Sequence, residues 1–193
     1  MPVPKKIPRA IITAHDRLVT LDETFQIFHP GQKIVILGCT DGFWILYAAV
    51  RLMEVGQIIG VDSDLSTIEK FAEHVELEKA DILDGDQAAL TRFKKAHGQL
   101  ANGVLSELLP KRSRNREENQ ARSLEQVKAA WSWTKELLVE GGFFLFKALQ
   151  SEAVDNFIGD LSKKFNQITR INTQPSKTGQ EICILLRGFR LKS

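Results

Sequence analysis

Cysteine is scarce in this chain, with two residues in 193. Neither Cys39 nor Cys183 stands at a metal-ligand spacing, which leaves no disulfide framework, no zinc module and no expected metal. Each lies in an apolar stretch, so both are expected as buried free thiols in a reducing compartment. An excess of one charge is also missing: 26 Lys and Arg stand against 24 Asp and Glu, a net of +2. Such a balance permits a nucleic-acid partner through a local basic face and does not require one. No apolar run is long enough for a membrane span. The opening Met1-Pro2-Val3-Pro4-Lys5-Lys6 lacks the apolar core of a signal peptide and the Arg- and Ser-rich look of a transit peptide. A cytoplasmic location is expected, or a mitochondrial one if a transit peptide has been removed. Internal repeats, low-complexity tracts, a GxGxxG fingerprint and a phosphate loop are all absent.

What is present is an ordinary globular composition, 43% hydrophobic and 26% charged. The length suits one domain over residues 1–193, with 1–15 as an N-terminal extension. Leu18, Leu21, Phe25 and Phe28 recur at helical spacing up to His29-Pro30-Gly31. Lys33 to Leu37 reads as a buried strand, Trp44 to Met53 as a helix and Gln57 to Asp62 as a second strand. Ser63 or Asp64 caps a helix through Phe71. Val75 to Ala80 reads as a third strand, Gln87 to His97 as a helix and Gly103 to Ser106 as a fourth strand. A polar, basic stretch from Lys111 to Glu118 reads as a loop before a long helix, roughly Ala121 to Leu138. Glu140-Gly141-Gly142 turns the chain into a fifth strand, Phe143 to Lys147. A helix from Glu152 to Phe165 and two strands, near Ile168 to Ile171 and Ile182 to Leu186, complete the chain.

Strands alternating with helices imply an α/β fold, a mostly parallel sheet with helices on both faces. No helix-sized segment separates the last two strands, so the terminal strand is expected to be antiparallel, in a seven-stranded sheet. A sheet closed by such a hairpin resembles the Rossmann-like class I methyltransferase architecture more than that of a nicotinamide dehydrogenase. Ligands in these sheets bind at the carboxyl ends of the strands. After the first strand come Gly38, Cys39, Gly42, Phe43 and Trp44, where two glycines allow a tight turn and a close backbone approach. Asp62, ending the second strand, can accept from ribose hydroxyls, and Asp81, after the third, can meet an adenine amino group. Each residue alone is as well explained by a turn, a helix cap or a solvated loop acid; their recurrence after successive strands is the signal.

At these residues the chain resembles the FtsJ-like RNA 2'-O-ribose methyltransferases. Pro30-Gly31, Gly38 to Trp44, Gly60-Val61-Asp62, Ser106-Glu107, Glu140-Gly141-Gly142 through Lys147 and Glu181 to Phe189 follow that family's order, from about Thr13 to Phe189. The resemblance implies S-adenosylmethionine as cofactor, RNA as partner (ribosomal RNA or a ribosomal subunit) and a Lys-Asp-Lys-Glu tetrad acting on a ribose hydroxyl. By position the tetrad falls on Arg17, Glu107, Lys147 and Glu181, so two members keep their type and two keep only their charge. Phe43 stands where the family has a glycine, and Ile36 where it usually has an acid. Lys147 is then the expected base, which positive charge or burial would assist.

The basic loop supplies Lys111, Arg112, Arg114 and Arg116 as candidate phosphate contacts, with Lys94, Lys95 and Lys5-Lys6 as further cations. Two other readings stay open. One is a methyltransferase fold that binds RNA or ribosome without catalysis; the other is a small-molecule methyltransferase, which would not need the loop.

Overall fold

Strand β1, Lys33–Leu37, is an aliphatic run with four of its five residues buried. Its side chains alternate between two cores. Ile34 and Ile36 pack with Leu105, Leu145 and Leu185, and Val35 and Leu37 with Val104, Phe144 and Leu186. A strand buried on both faces needs cover on both, and the helices supply it. The computed structural model describes residues 18–66, 72–84, 87–98, 101–172 and 180–191; the helix expected through Phe71 falls largely outside them.

The elements in order are helix α1 (18–25), β1, α2 (Phe43–Leu52), β2 (Gln57–Asp62), β3 (Val75–Lys79), α3 (Gln87–His97), β4 (Ala101–Ser106), α4 (Arg116–Leu137), β5 (Leu138–Leu149), α5 (Glu152–Ser162), β6 (Phe165–Asn172) and β7 (Glu181–Phe189). The seven strands lie in the order β3-β2-β1-β4-β5-β7-β6. Strands β1 to β5 pair in parallel, and β7 runs antiparallel to both β5 and β6. The terminal strand is antiparallel as expected, but it lies inside the sheet, and β6 takes the edge. Helices α1 and α2 cover one face; α3, α4 and α5 cover the other.

Several element bounds differ from the sequence reading, four of them for a visible reason. Helix α4 starts at Arg116, not near Ala121, because the Asn115 side chain accepts from the Glu118 N–H (3.2 Å) and caps the helix. Glu117 and Glu118 then favour its positive end. Strand β5 runs straight through Gly141 and Gly142, which form an irregularity in the strand rather than a turn before it: its register with β4 shifts between Ala101 and Gly103, and Gly141 sits at φ 79°. Helix α5 ends at Ser162, because Phe165 is claimed by an aromatic cluster, 5.3 Å from Phe189 and 5.9 Å from Trp131 between ring centroids. Helix α1 likewise stops at 25, and Phe28 is buried from the following loop.

That loop hangs on Asp22, which is fully buried. Its carboxylate accepts from the Phe28 N–H (3.0 Å) and the Tyr47 hydroxyl (2.9 Å) and pairs with the Arg51 guanidinium (2.7 Å). Burial first, then the bond to Asp22, pushes the Tyr47 phenol up to about 12. Replacing Asp22 by Ala would strand these donors. Unfolding in urea should show a loss of about 1–3 kcal/mol, with Asp22→Asn less damaging; equal stability of parent and Asp22→Ala would show that the anchor is idle.

Candidate active site

The sheet order changes direction between β1 and β4, the place where open α/β sheets build their ligand crevice. The carboxyl ends of β1 and β4 are joined there by the Glu107 N–H donating to the Leu37 carbonyl, 2.9 Å. Ser106 lies opposite Phe146 in the β4–β5 ladder. The next residue on each strand is therefore brought alongside: Glu107 and Lys147 meet, with Lys147 Nζ 3.0 Å from Glu107 Oε2. Both side chains are nearly enclosed, 4% and 7% exposed. The ammonium also lies 4.5 Å from the centre of the Trp44 ring, which comes up from the first turn of α2. The extra methylene of Glu107 relative to an aspartate does not prevent the contact.

Burial pushes the Glu107 carboxyl up to about 8, against the pull of the neighbouring Lys147. For Lys147, burial alone would lower the ammonium, but the Glu107 carboxylate outweighs it and holds the group above its ordinary range. The resting pair thus keeps its protons tightly.

The turn after β1 has glycines where the backbone needs them. Gly38 (φ 73°) lets Leu108 lie on it, since an added Cβ would fall 2.6 Å from Leu108 Cδ2. Gly42 (φ 68°) precedes α2, and the Phe43 N–H donates to Asp41 Oδ1 at 3.0 Å. Phe43 itself turns inward: its ring is buried in the core beneath α2 with Trp44, so its bulk does not fill the space above the turn. Cys39 is fully buried as a free thiol. Asp62, at the end of β2, accepts from the Thr40 hydroxyl (2.6 Å) and the Asp64 N–H (3.1 Å). This tie between the first two turns is one that sequence reasoning missed. Asp81 is exposed after β3 and accepts from the Leu83 N–H, 2.8 Å.

S-adenosylmethionine fits this crevice on its electrostatics. The Cys39 thiol is pushed up to about 12, by burial first and then by the carboxylates of Asp62, Glu107 and Asp41. The carboxylates of Asp41 and Asp62 beside this turn suit a cationic sulfonium, and Asp62 with Asp81 offers acceptors for hydroxyl and amino groups.

The remaining expected site residues divide. Glu181 lies opposite Leu149 while Lys147 lies opposite Cys183, so Glu181 shares the Lys147 face one pair further along. Its carboxylate meets Arg112, 3.4 Å from Nη2. Arg17 lies outside the described residues, as do Lys5 and Lys6. Lys111, Arg114 and Arg116 are exposed in the segment that follows β4; Arg116 is already the first residue of α4. Lys94 and Lys95 do not join them. They sit in the last turn of α3, whose end meets the start of β1 through Lys33 donating to the His97 carbonyl, at the opposite end of the sheet. Lys94 is moreover paired with Glu136 at 2.9 Å.

Compared with known proteins, the chain matches the FtsJ-like methyltransferase family over residues 14–189. Among curated relatives, the ribosomal RNA large subunit methyltransferase E of Coxiella burnetii is 28% identical over 178 residues, covering 90% of this chain and 82% of that protein. The protein of the same name from Halorubrum lacusprofundi is 28% identical over 176 residues, and this chain spans 64% of its length. Among solved structures, a Plasmodium falciparum protein described as a ribosomal RNA methyltransferase superposes with a TM-score of 0.79 at 19% identity, over 94% of this chain and 97% of that one. Aeropyrum pernix fibrillarin, solved with S-adenosyl-L-methionine, gives 0.58 at 15% identity, over 82% and 67%. These two show the fold.

The raised Glu107 carboxyl also ties folding to pH. The unfolded chain loses that proton near the ordinary carboxylate value of 4.5, the folded chain only near 8. Stability from this group is therefore complete below about 4.5 and declines as pH rises toward 8. Folding the parent at pH 6 to 7 should take up close to one proton more than folding Glu107→Gln, read from unfolding free energies across pH. Parallel stability profiles for the two proteins would contradict the assignment.

Proposed function

We propose that this chain, which belongs to the FtsJ-like methyltransferase family, transfers a methyl group from S-adenosylmethionine to a ribose 2'-hydroxyl of RNA, with ribosomal RNA in a ribosomal subunit as the substrate. The observation that carries the reading is the buried Lys147–Glu107 pair at 3.0 Å, set at the carboxyl ends of neighbouring strands beside the switch point. The names of the curated relatives support ribosomal RNA as the acceptor.

S-adenosylmethionine, when bound, supplies an electrophilic methyl group on a positively charged sulfur. In this reading Asp62 and Asp81 hold its hydroxyl and amino groups, and the Gly38 to Gly42 turn presents backbone to it. Lys147 accepts the proton that the ribose hydroxyl gives up, and does so only in its neutral form. Glu107 aims the lysine, and the Trp44 face supports it. Arg17 and Glu181 complete the tetrad. Lys111, Arg114 and Arg116 contact phosphates, which orients the strand without reading its sequence.

The pH dependence follows from the pair. Lys147 is held above its ordinary range, so its neutral fraction is small at pH 7 and grows about tenfold per unit. The methyl-transfer rate should rise with pH from 7 to 9 rather than peak near neutrality.

The direct test is transfer of labelled methyl to ribosomal RNA and to ribosomal subunits, followed by location of the label on the ribose. The parent should be active, and Lys147→Ala should lose about a hundredfold or more, the usual weight of a general base. A parent that binds RNA but transfers nothing to any RNA or subunit would leave the binding module as the better description. By calorimetry, Asp62→Ala should weaken S-adenosylmethionine binding by about 1–3 kcal/mol; unchanged affinity rejects Asp62 as a contact. Neutralising Lys111, Arg114 and Arg116 should flatten the salt dependence of RNA binding by roughly 0.7 for each phosphate that is no longer neutralised. An unaltered slope would mark those three as solvated only.

A further inference from the structure

The loop between β4 and α4 is held at both ends. At one end Glu107 is fixed by its N–H to Leu37 and its carboxylate to Lys147. At the other, Ser113 is clasped by the fully buried Asn119: its N–H donates to Asn119 Oδ1 and its carbonyl accepts from Asn119 Nδ2, both at 2.8 Å. Ser113 Oγ bonds Glu118 Oε2 as well, 3.0 Å. Arg112 is the residue just before this clasp, so its backbone position is defined although its side chain is partly open to solvent. That side chain, 34% exposed, reaches from the loop before α4 to β7 and meets Glu181, whose carboxylate is 15% exposed.

We propose that Arg112 is a positioning residue for methyl transfer: it holds the Glu181 carboxylate and couples that carboxylate to RNA engagement by the basic loop. The inference rests on the methyltransferase reading above. A partly exposed pair of this kind adds little to stability, so the contact is not explained as a fold anchor; Asn119 and Ser113 already perform that task. A planar guanidinium also constrains the direction of the carboxylate it meets, which an ammonium does less well. A phosphate arriving at Lys111 or Arg114 lies within a residue or two of Arg112 in the chain, so RNA binding and the orientation of Glu181 act on one short, clamped segment.

The test is a double-mutant cycle on methyl transfer with parent, Arg112→Ala, Glu181→Gln and the double variant, with Arg112→Lys as the conservative replacement. Arg112→Ala should lower kcat on the order of tenfold to a hundredfold, the scale of a misplaced group in an active site, at an unchanged thermal midpoint. The double variant should be no worse than the poorer single one, since both remove the same arrangement. Arg112→Lys should recover part of kcat. Three results overturn the inference: Arg112→Ala changes only KM and the salt dependence, as an ordinary phosphate contact would; the two losses simply add; or the midpoint falls along with activity and Arg112→Lys rescues nothing. An inactive parent in the same assay overturns the function itself, which separates that failure from an active parent whose Arg112→Ala variant turns over normally.

Discussion

A lysine and a glutamate buried against each other at the carboxyl ends of two parallel strands are the constraint on which the rest of this site depends. Burying the Lys147 charge is costly, and it is tolerated because the Glu107 carboxyl accepts from the ammonium and the Trp44 ring lies 4.5 Å from it. Parallel strands make the meeting automatic: once Ser106 is opposite Phe146, Glu107 and Lys147 are side by side. A one-residue slip of β5 against β4 would send Lys147 to the other face, away from Glu107. The register is in turn held by the core on each side, by Phe144 and Phe146 toward α4 and by Leu105 and Leu145 toward α2. Packing in the sheet and chemistry at its end are thus one arrangement.

Within that arrangement the departures from the family pattern weigh differently. Phe43 looks obstructive in the sequence, yet as the first residue of α2 its side chain faces the core, so the bulk is absorbed by packing. The longer stem of Glu107 is absorbed as well, since the carboxylate still reaches Lys147. What the exchange changes is charge burial: the Glu107 carboxyl is pushed up to about 8, and Lys147 is held protonated by the same contact. The basic loop adds a cation beside β7, Arg112 against Glu181, from a segment that reads in the sequence as candidate phosphate contacts.

Much of the sheet was legible because its signal is local. β1, β2 and α3 have the bounds that apolar runs and helical spacing predict. The misreadings share a cause, which is that a distant partner decides. Phe165 reads as the end of an amphipathic helix and belongs to a strand because Trp131 and Phe189 surround it. Gly141-Gly142 reads as a turn and lies within β5, because β4 offers a ladder with a shifted register. The start of α4 was hidden in a charged stretch whose cap, Asn115, gives no hydrophobic cue. Lys94 joined the basic cluster on charge alone, and helix direction carries it to the far end of the sheet. Within the site, Glu107 and Lys147 could be named from family order, whereas Thr40 bonded to Asp62 and Ser113 clasped by Asn119 have no signature in the sequence.

The central claim is that contact with Glu107 holds the Lys147 ammonium above its ordinary range, so that the lysine must be freed of its proton before it can act as base. Carbon-13 labelling of the lysine side chains allows the Lys147 ammonium to be titrated by NMR in the full chain. The account predicts that its Cε resonance titrates above the ordinary lysine range in the parent. In Glu107→Gln, where burial is left unopposed, the titration should move below the ordinary lysine value. A parent Lys147 that titrates near neutrality, or one that Glu107→Gln leaves unmoved, would contradict it.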